Sequence, residues 1–308
     1  MSILVDQNTK VLVQGITGKE GQRAANEMRS YGTEVVAGVR PGKGGEVVDG
    51  IPVFNTVEDV KGARPDVNTS LITVPAGAVR AAALEAIEAR IPLIVILAEH
   101  VPVQDSAMIY EHAKQAGVRV VGPSSVGIIS PGKGKIGAIG SSNVARVFTP
   151  GRIGLISKSG GMTAEIANVL SRAGIGQSTV IGIGGDQIVG TTFGDLLELF
   201  ENDSETDAIV MFGEIGGSYE EQAAECVVAR KCTKPVIAVV AGKFTEELPG
   251  ETSLGHAGAI VSRGRGSHAS KVKALTEAGI LIAERLEEIP LLLNKANYVR
   301  MANGYQHA

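Results

Sequence analysis

Short valine- and isoleucine-rich runs alternate with helix-patterned segments along the whole 308-residue chain, and many of the runs close on glycine clusters. Lys10–Ile16, Glu34–Arg40, Asn68–Pro75, Leu93–Glu99 and Val118–Val121 read as strands. Lys19–Ser30, Gly77–Arg90 and Gln104–Ala116 read as the helices between them. Alternation at this spacing builds βαβ units, hence a parallel sheet with helices on both faces. The pattern lapses over Ser124–Pro150 and then resumes. The second series has strands Arg152–Ser157, Ser178–Ile183, Ala208–Glu214, Pro235–Ala241 and Ile280–Ala283. Its helices are expected at Thr163–Ala173, Thr192–Glu201, Glu220–Lys231 and Ala269–Ala278, with a last one from about Leu286. The expected fold is α/β: a domain over residues 1–128, an inter-domain segment over 129–150 and a second doubly wound domain over 151–308. In open parallel sheets ligands bind beyond the carboxyl ends of the strands, where the glycines of this chain gather.

Composition removes several classes of partner. Twenty-nine basic and thirty-three acidic residues leave a formal charge of −4, so no positive field draws the chain to nucleic acid. No apolar run approaches the ~20 residues of a membrane span. The opening Met1-Ser-Ile-Leu-Val-Asp6 carries neither a basic region nor a cleavable apolar stretch, which predicts a cytoplasmic or organelle-matrix protein. Cys226 and Cys232 are too few for a disulfide framework or a zinc site.

Two strand-to-helix turns are candidates for anion binding. The first is Gly15-Ile16-Thr17-Gly18-Lys19-Glu20-Gly21, spaced GxxGxxG rather than as the dinucleotide fingerprint GxGxxG. The following strand ends on Arg40, with Lys43 nearby, where a nicotinamide site normally places an acid for the ribose. That pairing points to a nucleotide with an extra ribose phosphate, coenzyme A ahead of NADP. The second turn is Ser157-Lys158-Ser159-Gly160-Gly161, where Ser159, Gly160 and Gly161 present N–H groups at a helix start.

Among the five histidines, His256 stands apart in the small-residue run Gly255-His256-Ala257-Gly258. An imidazole there is open to attack or transfer. Glu214 ends a very apolar strand, where a carboxylate is costly without a task. Asp186, after Gly184-Gly185, repeats that pattern less distinctly.

Taken together, the Gly15–Gly21 turn, Pro41–Gly45, Pro52–Thr56, Gly182–Asp186, Gly213–Gly217 and Gly255–Ile260 resemble the succinyl-CoA synthetase α-subunit family over nearly the whole chain. The resemblance implies a Rossmann-like CoA-binding domain followed by a flavodoxin-like ligase domain that carries a phosphohistidine. It implies that Gly15, Thr17, Gly18, Lys19 and Gly21 hold the CoA phosphates, with Arg40 and Lys43 beside them. Val74, Pro75, Ala98 and Glu99 would line the adenine and pantetheine path. His256 corresponds to the phosphorylated histidine and Glu214 to its carboxylate partner, with Ser159, Gly160 and Gly161 around the phosphoryl group. ATP or GTP with Mg2+ would sit on an ATP-grasp β subunit, a partner chain.

The chain also departs from the succinate pattern. Gly122-Pro123-Ser124-Ser125-Val126-Gly127 stands where succinate enzymes typically read Gly-Pro-Asn-Cys-Pro-Gly, and Ala164 where they carry tyrosine. These features look more like the citrate-activating branch, citryl-CoA synthetase and ATP citrate lyase. Ser124, Ser125 and Ala164 are therefore the expected acid-selecting positions. The balance tilts slightly from succinate toward citrate or another bulkier acid. The competing readings are a non-catalytic CoA-binding subunit and an NADP-dependent oxidoreductase.

Overall fold

The computed structural model of the chain describes residues 2–140, 144–247, 258–259 and 266–304. In chain order its strands and helices begin with β1 (Lys10–Gln14), α1 (Lys19–Tyr31), β2 (Glu34–Val39), β3 (Val47–Val48), β4 (Ile51–Phe54) and α2 (Val57–Ala63). They continue with β5 (Thr69–Ile72), α3 (Ala76–Glu88), β6 (Leu93–Ile96), α4 (Val103–Ala116) and β7 (Arg119–Val121). Next come β8 (Gly127–Ser130), β9 (Gly134–Gly137), α5 (Val144–Val147), β10 (Pro150–Ser157), α6 (Gly160–Arg172) and β11 (Gln177–Gly182). The last are α7 (Phe193–Glu201), β12 (Ala208–Glu214), α8 (Tyr219–Val228), β13 (Val236–Ala241), α9 (His268–Glu277), β14 (Leu281–Ile282) and α10 (Ile289–Gly304). The chain divides into a first unit, Leu4–Val144 with Ile181–Thr191, and a second unit made of the remainder.

In the first unit the sheet order is β3-β4-β2-β1-β5-β6-β7, parallel except for the β3–β4 pair. Val11, Leu12 and Val13 of β1 are fully buried, as a strand covered by helices on both faces requires. The chain winds outward from β1 through β2 and β4, then returns to add β5 on β1's other side. The carboxyl ends of β1 and β5 therefore flank a topological switch point. Helix α2 starts on a capping box between Thr56 and Asp59, and α1 stops at Gly32 in the left-handed conformation.

The stretch that lacks periodicity in the sequence holds the antiparallel pair β8–β9. It packs on α1: the buried Lys135 ammonium lies 3.2 Å from Glu27, and the Thr33 hydroxyl donates to the Lys135 carbonyl at 2.8 Å. Burial lowers the Lys135 pKa, with Glu27 opposing the shift.

In the second unit the strands run β14-β13-β12-β10-β11, and β10, β12, β13 and β14 are parallel. Ile166, Leu170, Phe193, Leu196 and Phe200 bury the inner faces of α6 and α7 against this sheet. Here the switch point lies between β10 and β12, beyond Ser157 and Glu214. Cys226 and Cys232 are buried here, and burial pushes the Cys232 thiol up to about 12, which keeps it protonated and unreactive. Among the described residues no helix is long and apolar enough to cross a membrane.

Candidate functional site

At the first unit's switch point, β1 runs into the turn that opens α1. Gly15 N–H donates to the Val39 carbonyl at 3.0 Å and Gly18 N–H to the Gly15 carbonyl at 2.9 Å, which folds the turn tightly. Gly21 must be glycine, because a Cβ there would stand 2.3 Å from the Gly15 carbonyl oxygen. The helix therefore butts directly onto the turn. No side chain caps α1, whose N-cap is Gly18, so its first N–H groups face outward as anion donors.

The other residues expected here line the same sheet edge. Arg40 and Lys43 form the exposed turn after β2, where Lys43 pairs with Glu46 at 2.7 Å. Val74 and Pro75 follow β5 and lead into α3, and Lys19 opens α1. Ala98 and Glu99 follow β6, and the Ala98 carbonyl accepts the Ser124 N–H at 2.8 Å. Ser125 is buried; its hydroxyl donates to the Gly182 carbonyl at 2.6 Å and accepts the Gly127 N–H at 2.9 Å. Its proton is thus committed inside the unit, whereas Ser124, the neighbouring acid-selecting position expected from the sequence, is half-buried.

The second switch point is more unusual. Lys158 N–H donates to the Phe212 carbonyl at 3.1 Å, which fixes the turn after β10 against β12. The Ser157 hydroxyl donates to the Ser159 carbonyl at 2.8 Å. Ser159 caps α6 by accepting the Met162 N–H, and a Cβ on Gly161 would meet open space. The first-turn N–H groups of Gly160 and Gly161 therefore face an uncovered helix end, where the dipole favours an anion.

Beside that end lies a buried chain of charge. Glu214, 9% exposed, has Oε1 3.6 Å from Lys158 Nζ, and the same ammonium lies 3.8 Å from Glu220 Oε1. Glu220 Oε1 also accepts the Glu214 N–H at 3.0 Å. Lys271, fully buried on α9, bonds Glu220 Oε2 and reaches Glu221 Oε2 at 3.1 Å and the Gly217 carbonyl at 3.2 Å. Lys158 Nζ also lies 5.8 Å from the centre of the Tyr219 ring. Buried ions are tolerable only when paired in this way. The sequence flags Glu214, but Lys158, Glu220 and Lys271 carry no signal of their own except that Lys158 interrupts the serine-glycine turn.

His256 lies outside the described residues. Gly266, ten residues further along the chain, accepts the Gly216 N–H on its carbonyl at 2.7 Å, two residues past Glu214. Ala164 is half-buried on α6, in the turn that follows Gly160 and Gly161. Among the described residues no group of His, Cys, Asp and Glu side chains is placed to hold a metal ion.

Comparison with known proteins matches residues 6–100 to a CoA binding domain and residues 156–281 to a CoA-ligase domain. The chain is 46% identical over 293 residues to succinate–CoA ligase [ADP-forming] subunit alpha 2 of Archaeoglobus fulgidus, covering 95% of this chain and 99% of that one. It is 47% identical over 283 residues to the corresponding α subunit of Methanothermobacter thermautotrophicus, covering 92% and 93%. Among solved structures it is similar to ATP citrate lyase from Methanothrix soehngenii in complex with citrate and coenzyme A. The TM-score is 0.90 at 25% identity, over 98% of this chain but only 52% of that one.

Proposed function

The chain belongs to the succinate–CoA ligase α-subunit family, and from that premise we propose that it is the CoA-binding, phosphohistidine-carrying chain of a nucleotide-dependent acid–CoA ligase, with succinate as the acid. The NADP-dependent oxidoreductase alternative falls with the family assignment. The observation that carries the reading is the uncovered start of α6 at a switch point, with Lys158 and Glu214 packed beside it.

In this mechanism a β-type partner of the ATP-grasp kind presents ATP or GTP with Mg2+. His256 attacks the γ-phosphorus, the bond to the nucleoside diphosphate breaks, and a phosphoimidazole forms. Glu214 accepts the ring's other N–H and holds the attacking nitrogen in its basic tautomer. The N–H groups of Gly160 and Gly161 and the Lys158 ammonium stabilise charge on the phosphoryl oxygens as they move. The acid's carboxylate oxygen then attacks phosphorus and frees His256, giving an acyl phosphate. The CoA thiol attacks the acyl carbon, the C–O bond to phosphate breaks, and the thiol proton leaves on the phosphate. Two phosphoryl transfers thus replace one unfavourable condensation.

The first unit supplies the CoA site through the turn Gly15–Gly21, with Thr17, Gly18 and Lys19 toward the phosphates and Lys43 beside them. Gly21→Ala is expected to weaken CoA binding at least about tenfold, because the added methyl must displace the turn. Calorimetric titration of CoA into the folded variant checks this; wild-type affinity would remove the turn from the site.

A second reading, an acid bulkier than succinate such as citrate, is favoured by half-buried Ala164 where succinate enzymes carry tyrosine. The test is a panel of succinate, malate, citrate and itaconate on the chain co-expressed with its β-type partner, scored as acid-dependent CoA consumption. Succinate activity alone supports the first reading. Activity with citrate supports the second, and Ala164→Tyr is then expected to cut citrate use about tenfold or more and spare succinate. Equal losses would take Ala164 out of acid selection.

A further inference from the structure

Glu220 is the second residue of α8, where a carboxylate usually serves the helix dipole from the surface. Here it turns inward and is fully buried. Strand β12 has a bare position to receive it: a Cβ on Gly213 would stand 2.5 Å from Glu220 Cγ and 2.6 Å from its Oε1. The side chain therefore lies against the strand backbone at the residue before Glu214.

Its two oxygens have separate partners. Oε1 accepts the Glu214 N–H at 3.0 Å and lies 3.8 Å from Lys158 Nζ. Oε2 is bonded by Lys271, whose ammonium also donates to the Gly217 carbonyl at 3.2 Å, in the turn between β12 and α8. Lys271 reaches Glu221 Oε2 at 3.1 Å, and the Ser270 hydroxyl donates to the other Glu221 oxygen at 3.3 Å. One oxygen of Glu220 thus faces α9, which holds the carboxylate in place. The other faces the two groups packed beside the start of α6. An apolar pair of similar size would join α8 to α9 without burying charge. It would neither accept the Glu214 N–H nor set a negative charge beside the Lys158 ammonium. Those two contacts are what the buried pair secures.

We propose that Glu220 is a positioning residue for the phosphoryl transfer: clamped by Lys271, it fixes the backbone of Glu214 and the ammonium of Lys158 beside the uncovered end of α6. The inference rests on the CoA-ligase reading above. It adds α8 and α9 to the elements that set the rate of phosphorylation.

The test is ATP-dependent phosphorylation of the chain in complex with its β-type partner, measured as kcat and as KM for ATP. Thermal melts and calorimetric titration of CoA accompany it. Glu220→Gln keeps the shape of the side chain and an acceptor oxygen but removes the charge between the two ammonium groups. It is expected to lower kcat at least about tenfold, with KM for ATP and CoA affinity within about twofold of wild type. The double variant Glu220→Gln/Lys271→Met removes both charges of the buried pair. It is expected to melt closer to wild type than Glu220→Gln does, yet to keep the low kcat. It also carries the test should Glu220→Gln not fold. Recovery of kcat together with Tm in the double variant overturns the proposal, because the pair then only holds the fold together. Wild-type kcat in either variant overturns it too. So does a loss of CoA affinity equal to the loss of kcat, the mark of general damage. A wild-type complex that ATP does not label overturns the ligase reading itself, and the unmodified control separates that failure from the others.

Discussion

Lys158→Met is expected to destabilise the protein by about 3–5 kcal/mol and to lower ATP-dependent phosphorylation of the chain at least about a hundredfold. The ammonium lies 3.6 Å from Glu214 and 3.8 Å from Glu220, and its side chain is only 2% exposed. Without it, Glu214 and Glu220 lose the ammonium they share, and Lys271 already serves Glu220 and Glu221. Glu214 loses the cation that helps fix its carboxylate, so the acceptor proposed for the imidazole N–H is less firmly placed. The cation beside the helix end is lost as well. Neither distance is that of a short hydrogen bond, so the ammonium can lean toward a phosphoryl oxygen without first breaking a tight pair. Lys158→Arg keeps the charge and is expected to retain most of the stability and at least about a tenth of the phosphorylation rate. Denaturant melts and incorporation of γ-phosphate label check the two effects separately. Wild-type stability together with wild-type phosphorylation in Lys158→Met would mean the buried charges play no part in the chemistry.

How far the sequence reveals this molecule depends on the range of the interaction that shapes each part. The long strands and helices are legible because burial on one or both faces writes a periodicity over six or more residues, as in β12 and α6. β3 and β4 are partly exposed and so lack the continuous buried apolar run that marks β5 and β6, while α2 shows only its Thr56–Asp59 cap. The pair β8–β9 is hidden for another reason. Every residue of both strands is buried, so no alternation survives, and the glycines imitate a linker. The route of residues 181–191 into the first unit is set by contacts with residues about sixty to seventy positions earlier, which no local pattern records.

The site divides in the same way. Glycine turns at strand ends are legible because phosphate binding by backbone N–H needs bare backbone at a helix start. Glu214 is legible because a carboxylate ends an apolar strand. Glu220 and Lys271 are not, since each sits on a helix among other charged residues and reads as a solvated face. Only the packing of α8 against α9 shows that they are buried and paired. Asp186 is intermediate: its Gly-Gly-Asp setting after a strand marks it, but its burial shows only in the structure.

His256→Asn is expected to abolish phosphorylation of the chain and to lower acid-dependent CoA consumption at least about a thousandfold, while CoA affinity stays at the wild-type value. An amide is not nucleophilic at neutral pH, so no covalent phosphoryl intermediate can form on it. Direct attack of the acid on the nucleotide would have to replace two transfers with one. The substitution removes a ring from a run of alanine and glycine neighbours and creates no buried charge, so the fold has no reason to yield. The label lost in this variant should, in the wild type, be released by acid and survive base, the behaviour of a phosphoimidazole rather than of a phosphoserine from the Ser157–Ser159 turn. Label or turnover that survives His256→Asn would move the phosphoryl carrier to another residue. Loss of CoA binding along with turnover would mean that the histidine shapes the protein rather than carrying the phosphoryl group.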